Sequence, residues 1–189
     1  LTKKVLDESI RLAGSYMLAN QTKAGNFRYG YDWHADKAID EDNQVRQAGA
    51  VWGLGLMYRY NKAKTTLLAL RRALAFFRKH QKSRGKLRFT AYPGVTKGGT
   101  GTVALLALSH IELLRAGKAS KTSSELDGYL AFLLSLRLEG GGFSQSYSTQ
   151  TGRGHGGPSS YFDGEALLAL TLAAKYLGRS DLKAAVLAE

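Results

Sequence analysis

One loop pattern recurs in this chain and constrains its fold more than any other feature. Residues 16–31 and 132–147 can be aligned with Phe27 placed on Phe143. After each loop comes a stretch with an early glycine, followed by small and apolar residues. Apolar residues at helical spacing indicate an amphipathic or buried helix. The alignment therefore predicts a repeated helix–loop–helix unit of roughly 50 to 60 residues.

A further and weaker copy lies between these two, and we call the three copies the first, middle and third units in chain order. Phe77 falls near the end of one predicted helix, residues 85–89 form the loop, and residues 99–108 open the next helix. We interpret residues 1–189 as a single domain of repeated helical hairpins. Because the chain starts without an initiator methionine, we also interpret it as a segment of a longer protein.

The helices of this repeat are of two kinds. Residues 63–80 alternate an apolar stripe with lysine and arginine, which is typical of a helix with one solvent face. Residues 102–114 and 165–174 are apolar nearly all round, so they need cover on several sides. This alternation predicts an all-α fold, an α/α toroid or partial toroid with buried inner and amphipathic outer helices. An ordinary helical bundle is the alternative, but it does not explain the alternation.

Composition excludes several classes of protein. Hydrophobic residues make up 44% of the chain, which is enough for a packed core and argues against disorder. The chain has no cysteine, so disulfides, thiolate zinc sites and cysteine nucleophiles are excluded. The four histidines do not fall at metal-ligand spacing, and we expect neither a metal nor a cofactor. We find no signal-peptide pattern and no apolar run of membrane-spanning length, and compartment and oligomeric state stay open.

Positive charge is concentrated in the middle third of the chain. The net charge is +12, and residues 63–120 carry 12 Lys and Arg against one acidic residue. Such a surface attracts anionic partners. A non-catalytic helical-repeat module that docks an anionic partner through this region is therefore one hypothesis, although a nucleic acid is not the partner we expect. The alternative interpretation is a solvated helix surface that serves solubility only.

The loop Gly140–Phe143, which follows an aliphatic stretch and precedes a helix with an early glycine, resembles the repeat of terpenoid cyclases and protein prenyltransferase β subunits. It also resembles the repeat of six-hairpin glycosidases. These resemblances imply an α/α toroid. The acidic motif of the cyclases has its nearest counterpart at residues 40–43, which departs at Asn43 and equally suits a helix cap. An isoprenoid cyclase or transferase is therefore a minor alternative.

In a toroid, the N-termini of the inner helices and the loops before them surround one mouth. Aromatic and polar side chains are interleaved in these loops, and this combination suits sugars, because rings stack on aromatics while polar groups bind hydroxyls or a carboxylate. We therefore predict a carbohydrate-active domain that binds or processes an oligosaccharide or small sugar, expected to be anionic. The candidate substrate-binding residues are Tyr29, Tyr31, Trp33, Asn43, Arg46, Tyr92 and Tyr147.

Two kinds of chemistry are open if the domain is an enzyme. Glycoside hydrolysis needs two carboxyl groups that flank the glycosidic bond. Asp42 with Asp163 or Glu165 can supply them, unless the last two only cap their helix.

A polyuronate lyase or epimerase would instead move protons with Tyr161, His155 and Arg46. In either case we expect Arg46, Tyr161 and Glu165 to share one concave pocket. His110, which lies among apolar neighbours, is predicted to be a packed core residue.

Overall fold

The computed structural model describes residues 2–118 and 123–187. The helices of this part are α1 (Lys3–Asn20), α2 (Gln44–Asn61), α3 (Lys64–Lys79), α4 (Thr100–Arg115), α5 (Ser124–Ser135), α6 (Ser160–Leu177) and α7 (Ser180–Leu187). The strands are β1 (Gly30–Asp32), β2 (Lys37–Ile39), β3 (Gln81–Arg84), β4 (Leu87–Thr90), β5 (Lys97–Gly99), β6 (Ser146–Ser148) and β7 (Gly154–His155).

Helices α2, α4 and α6 pack side by side, with α4 in the middle, and run in the same direction. At their N-terminal ends, Gly99 lies between Val45 of α2 and Phe162 of α6, so that a Cβ on Gly99 would be 3.1 Å and 3.7 Å from these two side chains. At the opposite ends, the Arg115 guanidinium of α4 lies 4.2 Å from the ring centroid of Tyr176 of α6. The three N-termini are therefore brought to one end of the molecule.

The predicted division into buried and amphipathic helices is confirmed for α4 and α3. Every residue of α4 from Thr100 to Leu113 is buried, and His110 is only 7% exposed. Helix α3 packs against α2 and buries one apolar face that includes Leu70 and Phe77. Helix α6 differs from the prediction, because one of its faces is open and Leu168 on it is 38% exposed.

The prediction of an all-α fold is wrong. The long segments that enter the inner helices form three small antiparallel sheets, in the orders β1-β2, β3-β4 and β5-β6-β7. Strands β3 and β4 are joined by the two-residue turn Gly85-Lys86, with Gly85 at a φ of 59°. Glycine in the first position of a two-residue loop is typical of a β-hairpin. Strands of two to four residues are too short to show a periodicity of their own, and the sequence prediction relied on helical periodicity.

The repeat predicted from Phe27 and Phe143 is visible in the backbone. Each of these residues forms an isolated β-bridge six positions back along the chain, to Gln21 and Arg137. The offset between the two copies, 143 minus 27, is 116 residues, and the same offset separates the first residues of α2 and α6 (160 minus 44). It also separates β1 from β6 (146 minus 30). The first and third units therefore share one backbone plan.

Candidate functional site

The site predicted from the sequence lies where the three inner helices begin. We call this end the mouth, and define it as the N-termini of α2, α4 and α6 with the segments 21–43, 80–99 and 136–159 that lead into them. Asn43, Gly99 and Ser159 are the N-cap residues of the three helices. All three small sheets belong to these segments. Side chains that are distant in sequence therefore meet at the mouth.

Glu165 lies in the second turn of α6 and faces the first turn of α4. Its Oε2 is buried without a hydrogen-bond partner among the described residues, and burial raises the pKa of this carboxyl. Gly101 provides the space, because a Cβ there would lie 2.3 Å from Oε2. An unpaired buried oxygen costs stability. In the described structure Glu165 does not cap a helix, and the expected capping role does not explain it.

The repeat itself does not require a carboxylate at this position. Glu165 is the sixth residue of α6, and the sixth residues of α2 and α4 are Gly49 and Leu105. A Cβ on Gly49 would lie 3.9 Å from Cδ1 of Leu105, which places these positions at one level of the packed helices. Two of the three equivalent positions therefore have an apolar side chain or none, and the helices pack there without a carboxylate.

Asp42 directly precedes the N-cap of α2 and accepts hydrogen bonds from three donors, the first of which is the backbone N–H of Asn43, at 2.8 Å from Oδ1. Nε2 of Gln47 donates to Oδ1 of Asp42 at 2.7 Å, and the Tyr92 hydroxyl donates to Oδ2. Burial, and next the hydrogen bond to Asp42, raise the pKa of Tyr92, so the phenol stays a neutral donor. Because Asp42 is itself an exposed residue, its carboxylate is fixed in orientation at the surface of the mouth.

Asp163 has a structural task in this fold. Its Oδ1 accepts a hydrogen bond from the backbone N–H of Phe143 at 3.0 Å. Gln47 does the same in the first unit, where Oε1 accepts from the N–H of Phe27 at 2.8 Å and Nε2 donates to the carbonyl of Phe27 at 2.7 Å. Sequence reasoning missed Gln47. The signal was present, because Gln47 follows Phe27 by the 20 residues that separate Asp163 from Phe143.

Arg46 and Tyr29 face another part of the first unit. The guanidinium of Arg46 lies 5.7 Å from the ring centroid of Tyr29. Both residues line a cavity of about 150 Å³ beside α1, to which neither Tyr161 nor Glu165 contributes. The expected common pocket of Arg46, Tyr161 and Glu165 is therefore not this cavity. Asn43 caps α2 through its side-chain oxygen, which accepts from the N–H groups of residues 45 and 46 at 3.0 Å and 3.1 Å.

Two candidate aromatic residues stand on the β1–β2 hairpin. Trp33 is 74% exposed and stacks on His34, with 3.6 Å between the ring centroids. Tyr31 is 58% exposed and donates its hydroxyl to Asp36, and this hydrogen bond is the main cause of its raised pKa. Oδ1 of Asp32 shapes the turn by accepting from the backbone N–H groups of residues 34 and 35. The hairpin thus presents an aromatic surface to solvent.

The remaining candidates divide into a core residue and two surface residues. Tyr147 is fully buried, and its hydroxyl donates to the carbonyl of Thr90 at 2.9 Å. Burial raises its pKa, and a ligand has no access to it. Tyr161 is 80% exposed in the first turn of α6. His155 is exposed on β7, where its carbonyl accepts from Ser146.

The fold is shared with two enzymes that act on sugars. The chain matches a GH76 α-mannanase from Bacteroides thetaiotaomicron with a TM-score of 0.61 and 13% identity, covering 80% of this chain and 45% of the mannanase. It matches a sugar epimerase from a ruminal bacterium with a TM-score of 0.70 and 14% identity, covering 95% of this chain and 52% of the epimerase. At these identities the likeness concerns the fold alone.

The chain spans about half the length of these two structures. No protein-family model matches it, and no curated protein matches it. Within the described residues, none of the helices has the length and apolar character needed to cross a membrane. No group of three or more His, Cys, Asp or Glu side chains in the same residues is arranged to hold a metal ion.

Proposed function

We propose that this chain is a carbohydrate-processing domain in which Glu165 donates a proton and Asp42 is the second carboxylate. The observation that carries the proposal is the buried, unpaired Oε2 of Glu165 at a position where the other inner helices have glycine and leucine. A buried carboxyl whose pKa is shifted by its surroundings is a candidate for a functional role. The similarity in fold to a mannanase and a sugar epimerase supports a sugar as the ligand.

The environments of the two carboxyl groups suit different roles. Burial raises the pKa of Glu165, which keeps a larger fraction of this group protonated and ready to donate to a glycosidic oxygen. Asp42 accepts hydrogen bonds from Gln47 and Tyr92, which fix the orientation of its carboxyl group. It would activate a water molecule or stabilise positive charge on the sugar ring. The exposed ring of Trp33 offers a surface on which a sugar can stack.

The test uses the 189-residue chain with a panel of mannose-, glucose- and uronate-containing oligosaccharides, with products separated by chromatography. Glu165→Gln keeps the size of the side chain and removes the proton donor, so we expect a rate loss of about 100-fold or more. Glu139→Gln, on the exposed loop after α5, is the matched control and should stay within about twofold. A wild-type rate for Glu165→Gln would contradict the proposal, as would an absence of both products and binding for every sugar.

The same panel separates hydrolysis from the alternative chemistry. In an epimerase or lyase that uses Tyr161 for proton transfer, Tyr161→Phe would abolish turnover as fully as Glu165→Gln. Because Tyr161 is 80% exposed and Glu165 has a buried oxygen, we expect Tyr161→Phe to retain most of the rate. Asp42→Asn should be as damaging as Glu165→Gln if hydrolysis uses both carboxyl groups.

A further inference from the structure

A second site lies on the loops of the middle and third units. The β3–β4 hairpin and the turn between β6 and β7 enclose a cleft of about 460 Å³. Lys82 and Arg84 line it from the hairpin, and Arg153 lines it from the turn. None of the residues that line this cleft is acidic. Three cationic side chains thus converge on one concave surface.

No acidic side chain of the described residues neutralises these cations in an ion pair. The segments that form the cleft contain no aspartate or glutamate from residue 81 to 99 or from residue 140 to 162. The guanidinium of Arg84 donates instead to the carbonyl of Thr151 at 3.2 Å. A cleft with a single sign of charge focuses the electrostatic field and raises the local concentration of anions. The arrangement favours an anion over a neutral ligand.

A hydrogen bond and a contact with the core join the two sides of the cleft. The bond from Arg84 to Thr151 ties the hairpin to the turn, and the N–H of Gly152 donates to the carbonyl of Ser148 at 2.8 Å. Gly152 has a φ of 68°, and a Cβ there would lie 2.8 Å from the ring of Phe89. Phe89 is 1% exposed, so the turn rests on the core. Preorganisation lowers the entropic cost of binding.

We propose that this cleft binds the carboxylate or sulfate group of an acidic glycan. Guanidinium groups bind such oxyanions with two parallel hydrogen bonds, and a lysine ammonium adds a mobile charge. Gln150 and Thr151 also line the cleft and can bind the hydroxyls of the sugar that carries the group. The inference rests on the proposed sugar-processing function, since it assigns to the same glycan a second contact on the loops around the mouth.

The experiment compares an acidic oligosaccharide with a neutral one of equal length, both titrated into the full chain by calorimetry and by backbone amide NMR. The acidic arms are an oligogalacturonate and a sulfated oligosaccharide. We expect the acidic sugars to shift the amides of residues 82–84 and 150–153, and the neutral sugar to leave them unchanged. The arm that shifts them more strongly identifies the preferred oxyanion.

The variant is the double reversal Lys82→Glu and Arg153→Glu, which leaves the structural tie from Arg84 in place. It should weaken the acidic sugar about tenfold or more and leave the neutral sugar unchanged. Lys4→Glu with Lys23→Glu, at two exposed positions of the first unit, makes the same change in net charge. We expect this control to weaken the acidic sugar less than about twofold at physiological salt.

Equal losses in the two double variants would overturn the inference, because net charge and not the cleft would then govern binding. Equal affinity of the cleft variant and the wild type for both acidic sugars would also overturn it. In either case, neutral sugars that bind and are turned over with dependence on Glu165 leave the proposed function intact. Failure of the proposed function is recognised differently, by the absence of any effect of Glu165→Gln.

Discussion

The unit that ends in α2 and the unit that ends in α6 repeat one backbone plan 116 residues apart (160 minus 44). In both, a side chain in the first turns of the inner helix holds the backbone of the loop aromatic residue, Gln47 for Phe27 and Asp163 for Phe143. The residue types differ, but the task is the same. The residues at these two positions therefore hold the loop in place, and the acidic character of Asp163 does not by itself indicate catalysis.

The two units have different kinds of residue at the sixth position of the inner helix. The first unit has Gly49 there, and the third has Glu165 with a buried, unpaired oxygen. No feature of the shared plan explains this carboxyl. The comparison thus separates two acidic residues that lie two positions apart: Asp163 belongs to the architecture, whereas Glu165 is the candidate for function.

Removal of the loop anchors should give the largest effect. Gln47→Met leaves the N–H and the carbonyl of the buried Phe27 without their partner, and we expect a loss of about 3 kcal/mol in the free energy of unfolding, measured in urea. The amide of Phe27 should also lose protection from hydrogen exchange. Asp163→Leu removes one such bond and should cost about 1–2 kcal/mol.

Asp163→Asn is the matched control, because an amide oxygen does this task in the first unit. It should retain stability within about 0.5 kcal/mol and retain turnover of the sugar substrate. A complete loss of turnover in a stable Asp163→Asn variant would show that the comparison assigns Asp163 to the wrong class.

The contact between Glu165 and α4 can be broken from the other side. A Cβ on Gly101 would lie 2.3 Å from Oε2 of Glu165 and 2.6 Å from Cδ1 of Phe162. Gly101→Ala should therefore cost about 1–3 kcal/mol and reduce turnover, because Glu165 must leave its position. Gly164→Ala, on α6 with no atom within 4 Å of the added methyl group, should instead stabilise by about 0.5–1 kcal/mol. A neutral effect of Gly101→Ala on both quantities would contradict this packing.

Some of these features could be predicted from the sequence, because they depend on residues that are close together in the chain. The apolar stripe of α3 and the repeated Phe27 and Phe143 are local patterns, and both predictions are confirmed by the structure. The burial of Tyr147 depends on Gly98 of β5, almost fifty residues away, since a Cβ there would lie 2.1 Å from the ring. No local pattern reports such a contact.

The candidate site shows the same limit. The position of Asp42 at the mouth could be predicted, because Asp42 directly precedes the N-cap of α2. Its hydrogen bond to Tyr92 could not, because the two residues are 50 positions apart. The short strands were missed because three or four residues give little periodicity to detect, and only the Gly85 turn carried a local signal. The shared pocket of Arg46, Tyr161 and Glu165 stays a prediction, and the structure adds that Arg46 lies beside Tyr29 of the same unit.

The smallest expected effect tests the charge state of Glu165 itself. Burial raises its pKa above the unfolded value, so the folded state holds this proton more tightly than the unfolded state does. The free energy of unfolding is therefore highest below the unfolded pKa and falls as pH rises through the folded pKa. Glu165→Gln cannot ionise. We therefore expect the variant to match the wild type in stability below the unfolded pKa and to be more stable than the wild type at neutral pH, because the variant buries no ionised carboxyl group.

Urea unfolding at several pH values measures this difference, with Glu139→Gln as the variant that makes the same chemical change on an exposed loop. We expect the variant to gain stability because the equivalent position of the first unit, Gly49, packs without a carboxyl group. If the wild type instead gained stability over Glu165→Gln as pH rose, Glu165 would be a paired structural acid. A Glu165→Gln variant that is stable but inactive would show that this carboxyl serves function and is not needed for folding, as the comparison of the two units indicates.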